Sequence, residues 1–351
     1  HTRMLATGLH EAGAICDIVS PFSGSRKWIP IFAVRPLVLK RINKTWSTLW
    51  HRRWHMAAVR ENLQQRLAEG ADVIVAQCPL SARAAIDARE NLRLKTPVVM
   101  VCHFNESEAS EYRDKGELHG SRHYQRMLKF EADVLQSVDR VIYVSNWARQ
   151  NVEAARGIRA RSSAVIWNGL SDRSTAGESG SVSRRDIGIK DEDLVLINVG
   201  SIEPRKNQLG LIELFAAVCD EVPGAKLLLV GDGPARSEVA DKVVELKLED
   251  SVRFLGHRRD VAALLSLADL YVHYALLENC PLVLLEAARA GLAVAAAPMG
   301  GVPELLEALE GSIELHPADI RGTVARLRPL LEDAATRRAA GLDQVQAAGL
   351  L

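Results

Sequence analysis

Two carboxylates, Glu278 and Glu286, bracket the run Asn279-Cys280-Pro281-Leu282-Val283-Leu284-Leu285. Pro281 suits a first helical position because it has no N–H to lose there, and Gly291 is a stop signal after Ala287, Ala288, Arg289 and Ala290. The helix so predicted turns its start toward the preceding loop. Its unpaired N–H groups and positive dipole end form an anion site, Glu278 projects from the loop before it, and Glu286 lies one turn beyond Leu282 on the same face. A phosphate at the helix start, with hydroxyl groups against a carboxylate on either side, has the outline of a nucleotide sugar. An ordinary buried helix with a capping acid would carry the same pattern.

Further polar residues cluster where strands are expected to end. In Asn198-Val199-Gly200-Ser201-Ile202-Glu203-Pro204-Arg205-Lys206-Asn207 the chain leaves a strand, turns, and enters a helix with two adjacent cations at its start. Cations there oppose the helix dipole, a placement that makes sense if a pyrophosphate lies between them and the helix; snorkelling to solvent is the alternative. Gly231-Asp232-Gly233-Pro234 is a tight turn lacking the third glycine of the dinucleotide fingerprint. Gly256-His257-Arg258-Arg259-Asp260 could wall a base or be a solvated loop. Gly300-Gly301-Val302-Pro303-Glu304 turns into a helix with Pro first and Glu in the first turn, a structural feature first. Asp191-Glu192-Asp193 imitates the D-x-D of metal-dependent sugar transferases, but its place in a turn before a strand marks a coincidence.

These residues need a scaffold of strands and helices. With 351 residues and 48% hydrophobic content the chain can bury two cores, and its alternating signals argue for α/β architecture. Thr2 to Ala12 reads as a helix ended by Gly13, followed by a strand from Ala14 to Val19 and a helical stretch, with breaks, from about Pro36 to Ala68. Short apolar runs suited to buried parallel strands follow at 72–76, 97–102, 140–144 and 164–167. The Ser-, Gly- and charge-rich stretch 171–185 is the expected linker, giving domains 1–170 and 186–351. The rhythm restarts with strands at 194–199, 226–230, 252–254, 270–273 and 293–296. Two Rossmann-like halves with a cleft between them are expected, with ligands at the carboxyl ends of the strands.

Composition narrows the function classes. No apolar run approaches the roughly 18 residues of a membrane span, and no signal-peptide pattern opens the chain, so a cytoplasmic location is expected. Cys16, Cys78, Cys102, Cys219 and Cys280 are scattered without metal-ligand spacing, which predicts reduced, mostly buried thiols and no metal site. The net charge of zero hides an asymmetry: residues 1–170 hold 25 Lys and Arg against 16 Asp and Glu, the remainder 19 against 28. Between Asp17 and Glu61 there is no acid, while nine cations and Trp28, Trp46, Trp50 and Trp54 fall in that window.

Trp46, Trp50 and Trp54 recur every four residues after Ile42, forming one stripe on a helix, with Lys40, Arg41, Lys44, Arg52 and Arg53 flanking it. This pattern suits an anionic membrane surface touched through residues 26–60, and with it a lipid-linked acceptor. The same stripe could be the domain's own core face. Nucleic acid is not expected as a partner, since the aromatics lie along a helix and not on an open sheet.

Residues 194–309 resemble the donor-binding domain of family-4 retaining glycosyltransferases of the GT-B fold. The likeness rests on Glu203-Pro204-Arg205-Lys206-Asn207, Val230-Gly231-Asp232-Gly233-Pro234, Phe254-Leu255-Gly256, the Glu278/Glu286 pair and Gly300-Gly301-Val302-Pro303-Glu304, in order. The first half resembles the family through Val101-Cys102-His103, Val144-Ser145 and Asn168-Gly169. The resemblance implies that Glu278 holds the donor sugar, Glu286 the ribose diol and Lys206 with Arg205 the pyrophosphate. It implies that His103 serves the sugar and reacting centre from across the cleft. Asn279, Cys280, Leu282 and Val283 around the helix start, with Gly256 and Arg258, would complete the donor site.

Ser201 stands where many members carry arginine after the strand glycine, Asn279 where glycine is common, and Ser171 where an Asp is often found. His1 matches a position after the family's first strand and glycine-rich loop, and Leu351 one before its terminal crossing helix, so both ends are expected to be missing. The implied reaction moves a hexose with retention, without cofactor or metal: Lys206, Arg205 and the helix start stabilise the departing phosphate, whose oxygen helps deprotonate the acceptor hydroxyl. The acceptor would be a lipid-linked or cell-envelope glycan. A sugar-nucleotide epimerase or a non-catalytic nucleotide-sugar binding protein could share the outline.

Overall fold

The computed structural model describes residues 2–24, 27–34, 39–170 and 182–348. The chain forms two compact units, His1–Trp167 and Asn168–Leu351. In the first, the order is α1 (Thr2–Glu11), α2 (Trp28–Val34), α3 (Lys40–Ile42), α4 (Lys44–Leu67), β1 (Ile74–Ala76), α5 (Pro79–Asn91), β2 (Val98–Cys102), α6 (Glu108–Asp114), α7 (Ser121–Ser137), β3 (Arg140–Tyr143), α8 (Asn146–Arg156) and β4 (Ser163–Val165). The strands form a parallel sheet in the order β1-β2-β3-β4.

Local chemistry sets these elements. Asn43 is extended and its side chain accepts from Trp46 N at 2.9 Å, which caps α4 and separates it from α3. Ser145 caps α8 through Ala148 N at 2.9 Å, and Gly157 ends it in the left-handed region at φ 62°. Strand β2 is almost wholly buried, and Met100, Cys102, Tyr143, Val134 and Leu135 pack the core between sheet and helices.

The second unit contains β5 (Val195–Val199), α9 (Gln208–Glu221), β6 (Lys226–Val230), α10 (Arg236–Glu245), β7 (Val252–Gly256), α11 (Val261–Ser266), β8 (Leu270–His273), α12 (Leu282–Arg289), β9 (Ala293–Ala296), α13 (Val302–Ala308), β10 (Ile313–Glu314), α14 (Ile320–Glu332) and α15 (Ala334–Ala348). Its parallel sheet has the order β10-β9-β8-β5-β6-β7. The chain builds outward from β5 to β7, then returns to the other side of β5 with β8. A crevice therefore opens above the β5/β8 pair, where the helices that follow the two strands pass to opposite faces. Leu196 pairs with Leu270 and Ile197 with Tyr271, and Asn198 Nδ2 donates to Val272 O at 2.7 Å across the same seam. The core is aliphatic around Leu211, Ile212, Phe215, Leu227 and Leu229.

Several sequence expectations are corrected. Residues 14–19 form no strand, and Ile15 is fully exposed, because no neighbouring strand pairs with them among the described residues. The helical stretch expected from about Pro36 divides at Asn43, and residues 35–38 lie outside the described structure, as do residues 171–181 of the expected linker. Only Cys102 and Cys280 are buried among the five thiols. Asp193 accepts from Lys190 N at 2.9 Å, so the D-x-D run is a turn.

Candidate active site

The second unit brings the expected residues to its switch point. After β5, Gly200 N donates to Val230 O at 2.9 Å and Ile202 N to Asp232 O at 3.1 Å, laying this loop against the turn that follows β6. That contact explains two glycines: a Cβ at Gly231 would fall 2.0 Å from Gly200 O, and one at Gly233 would fall 2.2 Å from Ile202 O. Gly256 closes the set, accepting from Gly231 N at 2.8 Å.

Arg205 and Lys206 do not start the long helix. They occupy a 3-10 turn, Pro204–Lys206, and Asn207, at φ 54°, both separates that turn from α9 and caps it through Gly210 N at 3.3 Å. Their counter-charge is a carboxylate. Lys206 Nζ pairs with Glu278 Oε1, Arg205 Nη1 lies 3.3 Å from Glu278 Oε2, and Arg205 Nη2 binds Glu203 Oε1 at 2.8 Å. Arg205 also donates to Leu277 O at 2.9 Å, while Leu276 N donates to Arg205 O at 2.9 Å, so the loops after β5 and β8 are stitched together.

Glu278 is buried. Burial alone would raise its carboxyl, but Lys206 and Arg205 outweigh it and hold the pKa below the usual Glu value. Its carbonyl accepts from Gly301 N at 2.8 Å, and a Cβ at Gly300, whose φ is 69°, would fall 2.0 Å from the same oxygen. The Gly300-Gly301 turn thus fixes the Glu278 backbone. Beneath lies His273, its Nε2 3.8 Å from Glu278 Oε1 and its Nδ1 3.2 Å from Tyr271 OH. Burial lowers its pKa to about 4, which keeps the ring neutral. Sequence reasoning missed His273; its place at the carboxyl end of an apolar strand was the available signal.

Pro281 is the N-cap of α12 and not its first residue. The helix begins at Leu282, so the N–H groups of its first turn face the loop that carries Glu278. Glu286 makes no hydrogen bond or salt bridge among the described residues, and burial raises its pKa. Asn279 is buried, Leu282 and Val283 are half-buried, and Cys280 is held through its carbonyl, which accepts from Asn168 Nδ2 at 3.2 Å. Burial pushes the Cys280 thiol up to about 11. Asp260 clamps Arg258 at 2.8 and 2.5 Å.

In the first unit His103 follows β2 and its Nε2 meets Gln77 Oε1 at 2.9 Å. Burial lowers its pKa to about 4, and a neutral ring bonded to a carbonyl oxygen carries its proton on Nε2. The loop after it is anchored from below: Arg156 Nη1 donates to Glu106 O at 2.7 Å, Ala109 N donates to Glu131 Oε1 at 3.0 Å, and Arg156 pairs with Glu131 in the interior.

The three tryptophans do not share one environment. Trp50 and Trp54 are half-buried and their rings pack 5.6 Å apart, with Trp28 at 5.9 Å from Trp54, whereas Trp46 is 68% exposed. Arg52 also departs from the flanking role: it is buried and binds Glu108 at 2.6 Å. Arg41 and Lys44 are exposed; the Lys40 side chain lies outside the described structure. Among the described residues no helix is long and apolar enough to cross a membrane, and no three His, Cys, Asp or Glu side chains are grouped to hold a metal ion.

Two parallel sheets flanked by helices, the second with its polar cluster at the switch point, define the GT-B class of α/β proteins. Structural comparison agrees: the Anabaena Alr3699/HepE protein, solved in complex with UDP and glucose, aligns at TM-score 0.68 and 21% identity over 95% of this chain and 93% of that one. WaaG, a glycosyltransferase involved in lipopolysaccharide biosynthesis, aligns at 0.63 and 20% identity over 85% and 79%. Residues 181–342 match the family described as "Glycosyl transferases group 1" and residues 1–173 "Glycosyltransferase Family 4". The chain belongs to the group 1, family-4 glycosyltransferases of the GT-B fold.

Among curated relatives, N-acetyl-alpha-D-glucosaminyl L-malate synthase of Bacillus anthracis is 33% identical over 158 residues, 45% of this chain and 41% of that protein. Sulfoquinovosyl transferase SQD2 of Arabidopsis thaliana is 31% identical over 153 residues, 43% and 29% respectively. The matches thus span well under half the length of these relatives.

Proposed function

We propose that the protein is a retaining glycosyltransferase that moves a hexose from a UDP- or GDP-sugar to a hydroxyl of a lipid-linked or cell-envelope glycan, without a metal ion. One observation carries this reading: cations from the loop after β5 and a buried carboxylate from the loop after β8 meet at the switch point, beside a helix whose Glu286 has no polar partner among the described residues. Glu278 offers an acceptor for sugar hydroxyls and Glu286 one for a ribose diol. Lys206 and Arg205 offer fixed positive charge to the phosphates, and their strength toward a leaving phosphate grows as its charge develops. In the first unit His103, held neutral, exchanges hydrogen bonds with the sugar and does not act as a cation.

Donor-only incubation separates this from the epimerase alternative. With a UDP- or GDP-sugar and no acceptor, the expected products are at most slowly released free sugar and nucleotide diphosphate; an epimerised nucleotide sugar, read by NMR, would overturn the transferase reading.

A peripheral membrane position is a second element of the proposal, supported by Trp46 and Ile42, 68% and 76% exposed beside the exposed Arg41 and Lys44. Near an anionic surface each cation contributes on the order of 1 kcal/mol. Sedimentation with vesicles should show binding that requires anionic lipid and falls both with salt and on neutralising Lys40, Arg41 and Lys44; equal sedimentation with neutral vesicles would contradict it.

A further inference from the structure

The first unit holds a cavity of about 250 Å³ that the donor site does not use, lined by α4, α5 and α7. Helix α4 leads into β1 and α7 into β3, while α5 departs from β1. Consequently the first halves of α4 and α7 and the start of α5 lie at the carboxyl end of the sheet, where α/β proteins place ligands. Leu49, Met56, Leu80, Met127 and Phe130 give the cavity an apolar wall. Arg53 of α4 and Arg126 and His123 of α7 stand around it, and no carboxylate lines it.

Arg52, which also lines the cavity, is neutralised by Glu108 at 2.6 Å and lies 5.4 Å over the Phe130 ring. Arg53 and Arg126 are exposed and have no carboxylate within ion-pair distance among the described residues. Two guanidinium groups on separate helices, with an imidazole between the same walls, match an oxyanion of more than one charge better than a single carboxylate. The apolar side continues outward. Trp46, Leu49, Arg53 and Met56 fall three, four and three residues apart, on one face of α4, and Trp46 with Ile42, Leu39 and Asn43 lines a second hollow at the start of that helix.

The geometry points to a binding site for a phosphate-bearing amphiphile, its phosphate held by Arg53, Arg126 and His123 and its apolar chain running along Leu49 and Met56 toward Trp46. At about 250 Å³ the cavity has room for a phosphate and a short length of chain. This deepens the function proposed above, on which it rests for one point only: that the occupant is the acceptor.

The test is calorimetric titration with decyl phosphate below its micelle concentration, compared with decanol, decanoate and inorganic phosphate. Decyl phosphate should bind at least tenfold more tightly than any of the three. The double variant Arg53→Gln/Arg126→Gln, at two exposed positions, should weaken it at least tenfold, and Met56→Gln should weaken it without affecting inorganic phosphate. Unchanged affinity in the double variant would overturn the proposal, as would inorganic phosphate binding as tightly as decyl phosphate. UDP-glucose and GDP-mannose are titrated in parallel: their failure to bind any of these proteins would sink the donor reading alone, because decyl phosphate binding needs no donor.

Discussion

Lys206→Ala lowers kcat/KM for sugar transfer by about a hundredfold or more, about 2.7 kcal/mol of transition-state stabilisation. The size follows from position. The ammonium is mostly buried and pairs with Glu278, so its charge is little screened and little reorganised when the leaving phosphate gains charge. Truncation also leaves Glu278 with Arg205 as its remaining cation, so the melting temperature is measured beside the rate. A loss below threefold, in a protein that still melts cooperatively, would remove Lys206 from the reaction.

Glu286→Ala weakens free UDP or GDP by about tenfold or more, whereas Glu278→Ala weakens the donor sugar and spares the free nucleotide. Hydrogen bonds to a charged group contribute roughly 1.5–3 kcal/mol, which sets the scale. The two carboxylates differ in surroundings: Glu278 is held ionised by two cations, while Glu286 is half-buried with a raised pKa and only Arg289 to oppose that rise. A ribose diol that donates to Glu286 would replace the hydration that burial removes. Calorimetry on the two variants reads the split, and equal losses of nucleotide affinity would contradict the separate roles.

Much of the scaffold was legible because buried parallel strands are continuous apolar runs. The segments read at 97–102, 194–199, 226–230, 270–273 and 293–296 are strands to within a residue. The run at 14–19 is also apolar but has no neighbouring strand among the described residues, and the two-residue β10 is too short to leave a pattern. Glu278, Glu286, Arg205 and Lys206 were visible as residue types at telling positions. Their ion pairs were not, because Lys206 meets Glu278 only through the adjacency of β5 and β8, which local sequence does not encode. Helix α4 illustrates the converse. A four-residue spacing suggested one stripe, yet Trp54 packs against Trp28 and Trp50 while Trp46 is left outside. Arg52 and Arg53 are neighbours in sequence, and only packing distinguishes the buried partner of Glu108 from the exposed cation.

The central claim is that the cluster at the β5/β8 switch point binds a nucleotide sugar. Thermal denaturation with a panel of UDP- and GDP-sugars, in the presence of EDTA, tests it most directly, because a ligand that binds only the folded protein raises its melting temperature by mass action. The account predicts a rise of a few degrees with sugars on one of the two nucleotides, lost in Lys206→Ala. No rise with any of them at millimolar concentration would contradict it.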